Sequence, residues 1–405
     1  MINIAVLGFG VVGSGVVKVL ETNAGRIAGN AGDTVRVKYI VDVRDFPGSE
    51  YARLLVKDFS AVERDPEVTI VVETIGGSGA ALDFTRRCLL AGKSVVTSNK
   101  ELVASHGHQL LALAREMNVN YLFEASVGGG IPILRPISQC LAANEISEVF
   151  GILNGTTNYV LTRMIKEGES PDFALRRARE EGYAEADPTD DLDGRDACRK
   201  ICILAALCFG RHVYPGYVRT EGIGGVTLDD ADNAGRIGFR IKLLGRAFIA
   251  PGGKIAAYVA PHLISEDKLL ANVDGVMNGI VVRGNAIGEV LFYGAGAGRL
   301  PTASAIAADV IDAAKHSRAR KRIGWEDSSP DDMYDSGLIE TPWYVRTSAE
   351  RAKLDSAFNA GETSIINVSG RGEIAFTTPA MSGAEISDRM KNLPQLSRFR
   401  ILPRT

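Results

Sequence analysis

The sequence predicts an α/β fold in three parts: a parallel sheet wrapped by helices, an α+β domain, and a small C-terminal unit. Three observations carry this. Apolar strand runs alternate with helical patterns from Met1 to about Ser126, the pattern of a sheet covered on both faces. After Gly128-Gly129-Gly130 the alternation gives way to longer helices and to strands rich in Val, Ile and Tyr. The last ~60 residues run strand, helix, strand, strand, helix, strand, a ferredoxin-like order.

In the first part, Ile2–Leu7 reads as a buried strand and Val11–Leu20 as the helix that follows it. In the second, a helix is expected over Pro132–Ala143 and another over Arg195–Phe209. The last amphipathic helix before the tail, 302–316, is expected to rejoin the first domain. Residues 317–342 are charged and turn-rich and read as a linker. The expected domains are therefore 1–130, 131–301 and 343–405.

Composition narrows the function. The chain has 405 residues, 45% hydrophobic and 23% charged, as in ordinary globular proteins. A net charge of −3 and a pI near 6.1 exclude the broad basic surface of a nucleic-acid binder. Met1-Ile2-Asn3-Ile4 has no cationic region before its apolar run, so no signal peptide is expected. No apolar run reaches the ~20 residues of a membrane helix. The five cysteines form no C-x-x-C pair. Cys198 and Cys202 are four apart, but no third ligand stands at zinc spacing, so buried thiols in a reducing, cytoplasmic compartment are expected.

Gly8-Phe9-Gly10-Val11-Val12-Gly13 is G-x-G-x-x-G, set directly after a strand and opening a helix. The first glycine makes the turn. The second admits a pyrophosphate, and the third lets helix and strand pack closely. The expectation is a Rossmann dinucleotide-binding domain for NAD or NADP. At the end of the second strand, Asp42 and Asp45 favour a ribose hydroxyl, whereas Arg44 favours a 2′-phosphate. NAD against NADP stays open, with a lean to NADP. Two more strand ends carry loops suited to the cofactor: Thr74-Ile75-Gly76-Gly77 and Thr97-Ser98-Asn99-Lys100.

Six carboxylates crowd residues 185–196, followed by Arg199 and Lys200. A calcium loop fails on register, because with Gly194 in the sixth position Lys200 would occupy the twelfth, where a bidentate Glu belongs. Asp196 and Lys200 are four apart and share a helix face. A lysine held beside carboxylates can pass a proton to a carbonyl oxygen. Glu185 and Asp191 suit an ammonium group. The pattern fits the reduction of an amino-acid aldehyde.

Gly182 through Lys200 reads G-Y-x-E-x-D-P-x-x-D-D-L-x-G-x-D-x-x-x-K and resembles the signature of the homoserine dehydrogenases. The glycine turn, Thr97–Lys100, Glu124–Pro132, Asn154–Tyr159 and Phe292–Gly298 are similar too, so the resemblance covers residues 1 to about 316. It implies reversible NAD(P)-dependent reduction of L-aspartate 4-semialdehyde to L-homoserine, in threonine, methionine and isoleucine biosynthesis. It implies Lys200 as acid and base, with Asp196 and Lys100 in the catalytic set. Glu185, Asp191, Tyr183 and Thr157 would meet the substrate. Gly8 to Gly13, Arg44, Thr74, Ile75, Gly76, Thr97, Lys100 and Gly298 would meet the cofactor. It also implies a monovalent cation, Na or K. Its ligands would be Glu124, through carboxylate or carbonyl, and the carbonyls of Val127, Gly129 and Ile131. A homo-oligomer, dimer or tetramer, follows in the same way, as does a monofunctional chain with no kinase segment.

The tail matches the order of a regulatory ACT domain. Its first loop, Ser348-Ala349-Glu350-Arg351-Ala352, lacks the usual Asp-x-Pro-Gly, so an assembly role is expected rather than threonine sensing. Two alternatives were open. A non-catalytic nucleotide sensor conflicts with Glu185, Asp191, Asp196 and Lys200 standing together. A thiohemiacetal enzyme conflicts with Cys140, Cys198 and Cys202 lying within expected helices.

Overall fold

The computed structural model describes residues 1–317, 323–359 and 361–403. Arg318, Arg320, Lys321 and Arg322 of the charged stretch lie outside them, as does Ala360, the expected end of a tail helix. The chain divides into two compact units. One comprises residues 1–145, 202–215 and 294–328, the other 146–201, 216–293 and 329–405. No helix of the described residues is long and apolar enough to cross a membrane.

The first unit is built on a parallel sheet of β1 (Ile2–Leu7), β2 (Val35–Val41), β3 (Leu55–Val56), β4 (Val68–Glu73), β5 (Ser94–Thr97) and β6 (Tyr121–Leu122). Its order is β3-β2-β1-β4-β5-β6. β1 lies at its centre, and Ile4 to Leu7 are wholly buried. That is why this strand reads as an unbroken apolar run rather than an alternating one. The strand order reverses beside β1, and ligands of such sheets sit at the carboxyl ends of the strands there. Helix Arg299–Lys315 returns to this unit: Ile306 and Val310 share a core with Val16, Val17 and Leu20 of helix Val11–Thr22.

The second unit holds a mixed sheet of β7 (Ile146–Ile152), β8 (Arg219–Thr220), β9 (Phe239–Ile249), β10 (Ile255–Ser265), β11 (Met277–Gly284) and β12 (Gly288–Ala295). The tail adds β13 (Trp343–Thr347), β14 (Ser364–Val368), β15 (Ile374–Thr377) and β16 (Gln395–Ile401). The order is β12-β11-β7-β9-β10-β16-β13-β15-β14, with β8 also on β10.

Four expectations need correction. The tail has the expected element order and a core of its own around Trp343, Phe358 and Phe376. It is nevertheless no separate sheet, because β16 pairs in parallel with β10. β8 covers β10 only at Tyr258 and Val259, and β16 takes the stretch beyond it at His262 and Leu263. Asp230, wholly buried on helix Leu228–Arg236, adds polar ties: it accepts from Tyr344 at 2.9 Å, Arg346 at 2.8 Å and Ser397 at 2.6 Å. Second, the described part of 317–342 is no loose linker. Trp325 is buried, its Nε1–H donates to His212 Nδ1 at 2.8 Å, and Ser328 donates to the His212 carbonyl at 2.5 Å. Burying an indole stabilises by a few kcal/mol, roughly the 1.5–3 typical of a large apolar side chain, and this outweighs the charged neighbours. Third, residues 131–145 fall with the first unit rather than the second, and the helix expected over Pro132–Ala143 shrinks to a π-turn, Pro136–Cys140. Fourth, Cys140 at its end is exposed, while Cys88, Cys198 and Cys202 are buried.

His212 gives this packing a pH signature. Burial, helped by the nearby His108, pushes its imidazole down from 6.5 to about 4. Between those values the unfolded chain binds a proton that the folded chain refuses. The stability is therefore whole above pH 6.5 and is lost as pH falls from 6.5 toward 4. One such group contributes about 1.4 kcal/mol per pH unit. We expect His212→Gln to flatten the pH dependence of unfolding by about that slope, measured with urea across pH 4 to 6.5. An unchanged slope would show that His212 titrates alike in both states.

Candidate active site

The candidate residues gather in two places, one in each unit. In the first unit, β1 ends at Leu7 and the chain turns at Gly8, with φ +90°. A Cβ on Gly8 would lie 2.8 Å from the Thr74 carbonyl oxygen, and one on Gly13 only 2.0 Å from that of Gly8. Both positions require glycine. Helix Val11–Thr22 then starts with no side chain capping it. Its first N–H groups and dipole are thus available to a phosphate.

Gly8, Gly10, Val11 and Val12 line a cavity of about 550 Å³ together with Arg44, Thr74 and Ile75. Lys57 lines it too. The sequence carried no sign of this lysine's role, since it lies beyond the second strand in a stretch expected to be helical. Phe9 is buried, and its N–H donates to Asp42 at 2.7 Å. Gly13, Gly76, Thr97, Lys100 and Gly298 do not line that cavity. Gly298 instead opens helix Arg299–Lys315, and Lys100 opens helix Lys100–Glu116. Thr97 is wholly buried and its hydroxyl donates to Glu73 at 2.5 Å, so its side chain braces the loop rather than facing a ligand. The Thr74 hydroxyl is likewise spent, on the carbonyls of Leu7 at 3.0 Å and Gly8 at 2.9 Å.

The acid at the end of β2 is already engaged. Arg44 reaches both oxygens of Asp42, with Nε at 3.0 Å and Nη2 at 2.8 Å. The Arg44 guanidinium holds this carboxyl far below the usual carboxylate range, against a partly offsetting burial. Arg44 itself stays more than half exposed, with its guanidinium 5.2 Å from the Phe46 ring. Lys57 is tied to the same turn through the Val43 carbonyl at 2.9 Å and Asp45 at 2.8 Å.

In the second unit, the acidic loop divides. Asp190 pairs with Arg199 at 2.6 Å and Asp193 with Arg195 at 3.1 Å, on the surface. Asp187 accepts from the Thr189 N–H at 3.1 Å and from its hydroxyl at 2.5 Å, just before the short helix Thr189–Leu192. Only Asp191 and Asp196 turn inward, where Asn154 meets both: its Nδ2 donates to Asp191 at 2.7 Å and to Asp196 at 2.9 Å. Helix Arg195–Phe209 buries Ala197, Ile201 and Leu204, which carries Asp196 and Lys200 inward on the adjacent face. Lys200 is 7% exposed and bonds Asp196 at 2.8 Å and the Leu153 carbonyl at 2.8 Å. Burial raises the Asp191 carboxyl, and the charge of Asp196 raises it further.

Asn154 was overlooked in the sequence as a site residue. The signal was present: an Asn between a strand and a helix is a natural N-cap, and its side chain does accept from the Thr157 N–H at 2.8 Å. Thr157 is buried and its hydroxyl turns to Asn154 at 3.0 Å, so it supports that side chain instead of reaching outward. Glu185 is exposed, and Tyr183 is 44% exposed with its ring 5.3 Å from that of Tyr159.

The loop expected to hold a cation is firmly braced. The Glu124 carboxylate accepts three main-chain N–H groups, those of Ile133 at 2.6 Å, Leu134 at 2.9 Å and Arg135 at 2.7 Å. A carboxylate has about four acceptor sites, so carboxylate and carbonyl of Glu124 both stay open as partners to the carbonyls of Val127, Gly129 and Ile131. Neutral carbonyl oxygens are a donor set suited to a hard cation of low charge. The loop is braced by Asp309, which accepts from the Glu124 N–H at 2.8 Å and from Arg135 at 2.5 Å.

Comparison with known proteins covers both units. A family model described as homoserine dehydrogenase matches residues 132–311, and one described as homoserine dehydrogenase, NAD binding domain, matches 8–124. The homoserine dehydrogenase of Pseudomonas aeruginosa is 40% identical over 357 residues, 86% of this chain and 82% of that one. The crystal structure of a homoserine dehydrogenase from Thiobacillus denitrificans superposes with a TM-score of 0.89 at 36% identity, over 99% of this chain and 98% of that one. A hyperthermophilic archaeal homoserine dehydrogenase in complex with NADPH gives 0.64 at 29% identity, over 77% and 97%.

Removing Asn154 tests the bridge between the two acids. We expect Asn154→Ala to cost about 2–4 kcal/mol, a lost cap plus two lost charge-assisted hydrogen bonds. Protonation relieves a buried carboxylate that has lost its donor, so the loss should be smaller at pH 5 than at pH 8. Equal losses at both pH values, in urea unfolding, would sink the bridging role.

Proposed function

The chain belongs to the homoserine dehydrogenase family, and we propose that its Asp196–Lys200 pair carries the proton of that family's reaction. The reaction is the reversible NAD(P)-dependent reduction of L-aspartate 4-semialdehyde to L-homoserine. Bound NAD(P)H supplies the hydride that reaches the aldehyde carbon. One observation carries the proposal: Lys200 is buried and held from two sides, by Asp196 and by the Leu153 carbonyl. An ammonium has three N–H groups. Two are committed to these acceptors, and the third serves the aldehyde oxygen. In reduction Lys200 gives its proton to that oxygen as negative charge develops there. In oxidation it takes the proton back from the hydroxyl.

Asp196 orients the ammonium, and Asn154 holds Asp196 and Asp191 in register. Asp191, with Glu185 and Tyr183 on the exposed loop, receives the substrate's own ammonium group. Thr157 acts through Asn154. Lys100 is retained as a second cation of the set. In the same reading, Glu124, through carboxylate or carbonyl, and the carbonyls of Val127, Gly129 and Ile131 would hold Na or K, which would supply fixed positive charge to that loop. A cytoplasmic homo-oligomer, dimer or tetramer, belongs to the proposal, with the tail serving assembly.

The cofactor reading can be sharpened. Asp42 is occupied by Arg44 and by the Phe9 N–H, so it is poorly placed to claim a ribose hydroxyl. Arg44 and Lys57 line the cavity. We therefore assign the 2′-phosphate of NADP to these two cations.

An NAD(P)-linked assay with homoserine, run with each cofactor, tests the activity. We expect Lys200→Ala to lower turnover by at least ~10², with NADPH affinity nearly unchanged, the size of a lost general acid. Near-normal turnover would remove Lys200 from the role. We expect Arg44→Ala with Lys57→Ala to raise the KM for NADPH roughly tenfold or more, and that for NADH by less than about threefold. Equal changes for both cofactors would place the 2′-phosphate elsewhere.

A further inference from the structure

Glu73 ends β4 and is wholly buried, yet the reaction assigned above gives it no task. Every group turned toward it is a donor. The Thr97 hydroxyl donates to Oε2 at 2.5 Å and the Ile75 N–H to Oε1 at 2.7 Å. The Gly76 N–H and the Asn99 amide are also turned to it. The Thr97 oxygen in turn accepts the Asn99 N–H at 2.9 Å. Asn99 completes the circuit: its Nδ2 donates to the Gly77 carbonyl at 2.6 Å, and its Oδ1 caps helix Lys100–Glu116 at Leu102, 3.0 Å away.

We propose that Glu73 is a positioning residue for the cofactor, clamping the Thr74–Gly77 loop to the Thr97–Lys100 turn. The clamp acts on a loop that matters, since Thr74 and Ile75 line the cofactor cavity. Only a side chain with acceptors on both oxygens satisfies this ring. A glutamine of the same size must set its NH₂ against the Ile75 N–H, leaving that donor unmet, or against the Thr97 hydroxyl, which must then swing its hydrogen out of the ring. The two loops then lose their common anchor, and the cavity wall loses its shape before any ligand arrives. The inference rests on the cofactor reading above but not on the substrate or on Lys200.

The test is NADPH binding by the full chain, followed by nicotinamide fluorescence without substrate, with thermal unfolding as a control for folding. We expect Glu73→Gln to raise the Kd for NADPH by roughly tenfold or more. Thr97→Val should do the same, whereas Thr97→Ser, which keeps the hydroxyl, should restore binding to within about threefold of wild type. The double variant, Glu73→Gln with Thr97→Val, should bind no worse than the weaker single, since both break one circuit. A folded Glu73→Gln that binds NADPH within about twofold of wild type overturns the proposal, as do losses that add in the double variant. If Glu73→Gln does not fold, the Thr97 pair decides: equal binding by the Val and Ser variants overturns the proposal. Activity with homoserine is measured separately on the wild-type chain: a wild type that binds NADPH but does not turn over homoserine counts against Lys200 and not against Glu73.

Discussion

A carboxylate taken out of water must be met by donors on all sides, or its burial costs more than local packing can return. Several acids in this chain meet that demand with donors from distant segments. Glu73 draws on the loops after β4 and β5. Glu124 takes three main-chain N–H groups from 133–135, and Asp309 holds the same loop from helix Arg299–Lys315. Asp196 and Asp191 share Asn154. Asp230 gathers Tyr344, Arg346 and Ser397 from the tail. Each acid is thus a knot between segments, and the loops around the cofactor cavity and the lysine are held by such knots.

The acidic loop shows how the same residue type serves two ends. Six carboxylates lie within residues 185–196. Arg195 and Arg199 hold Asp193 and Asp190 at the surface, where screening by water keeps such pairs weak. The two acids turned inward are the ones that meet a buried lysine and an amide. Lys200 answers Asp196 and Asn154 answers both acids, and Lys200 is kept in place by the same contacts. Structure and proposed chemistry coincide at this point: the ion pair that makes burial tolerable also fixes the direction of the Lys200 ammonium.

The tail follows a different logic. Its core is its own, but its sheet is not. A sheet edge left open invites pairing, and β16 closes the stretch of β10 at His262 and Leu263. The buried Arg346–Asp230 contact then fixes the direction of approach. A module joined by a continuous sheet and a buried charge pair is held firmly to the rest of its own unit.

Much of this was legible in the residues. The alternation of strands and helices marks the parallel sheet, because both of its faces are covered. The glycine turn marks the phosphate site, because only glycine tolerates φ +90° at Gly8 and the 2.0 Å approach at Gly13. The i,i+4 spacing of Asp196 and Lys200 marks their ion pair, because a helix puts those positions together. These are local rules, and local rules are written along the chain. The sequence could not place Lys57 in the cofactor cavity, join β16 to β10, or show that Thr97, Thr157 and the Glu124 carboxylate are engaged by internal donors and acceptors. Those outcomes depend on which distant segment arrives beside each polar group. Only the folded chain sets that, since a hydrogen bond is decided by proximity and not by spacing in sequence.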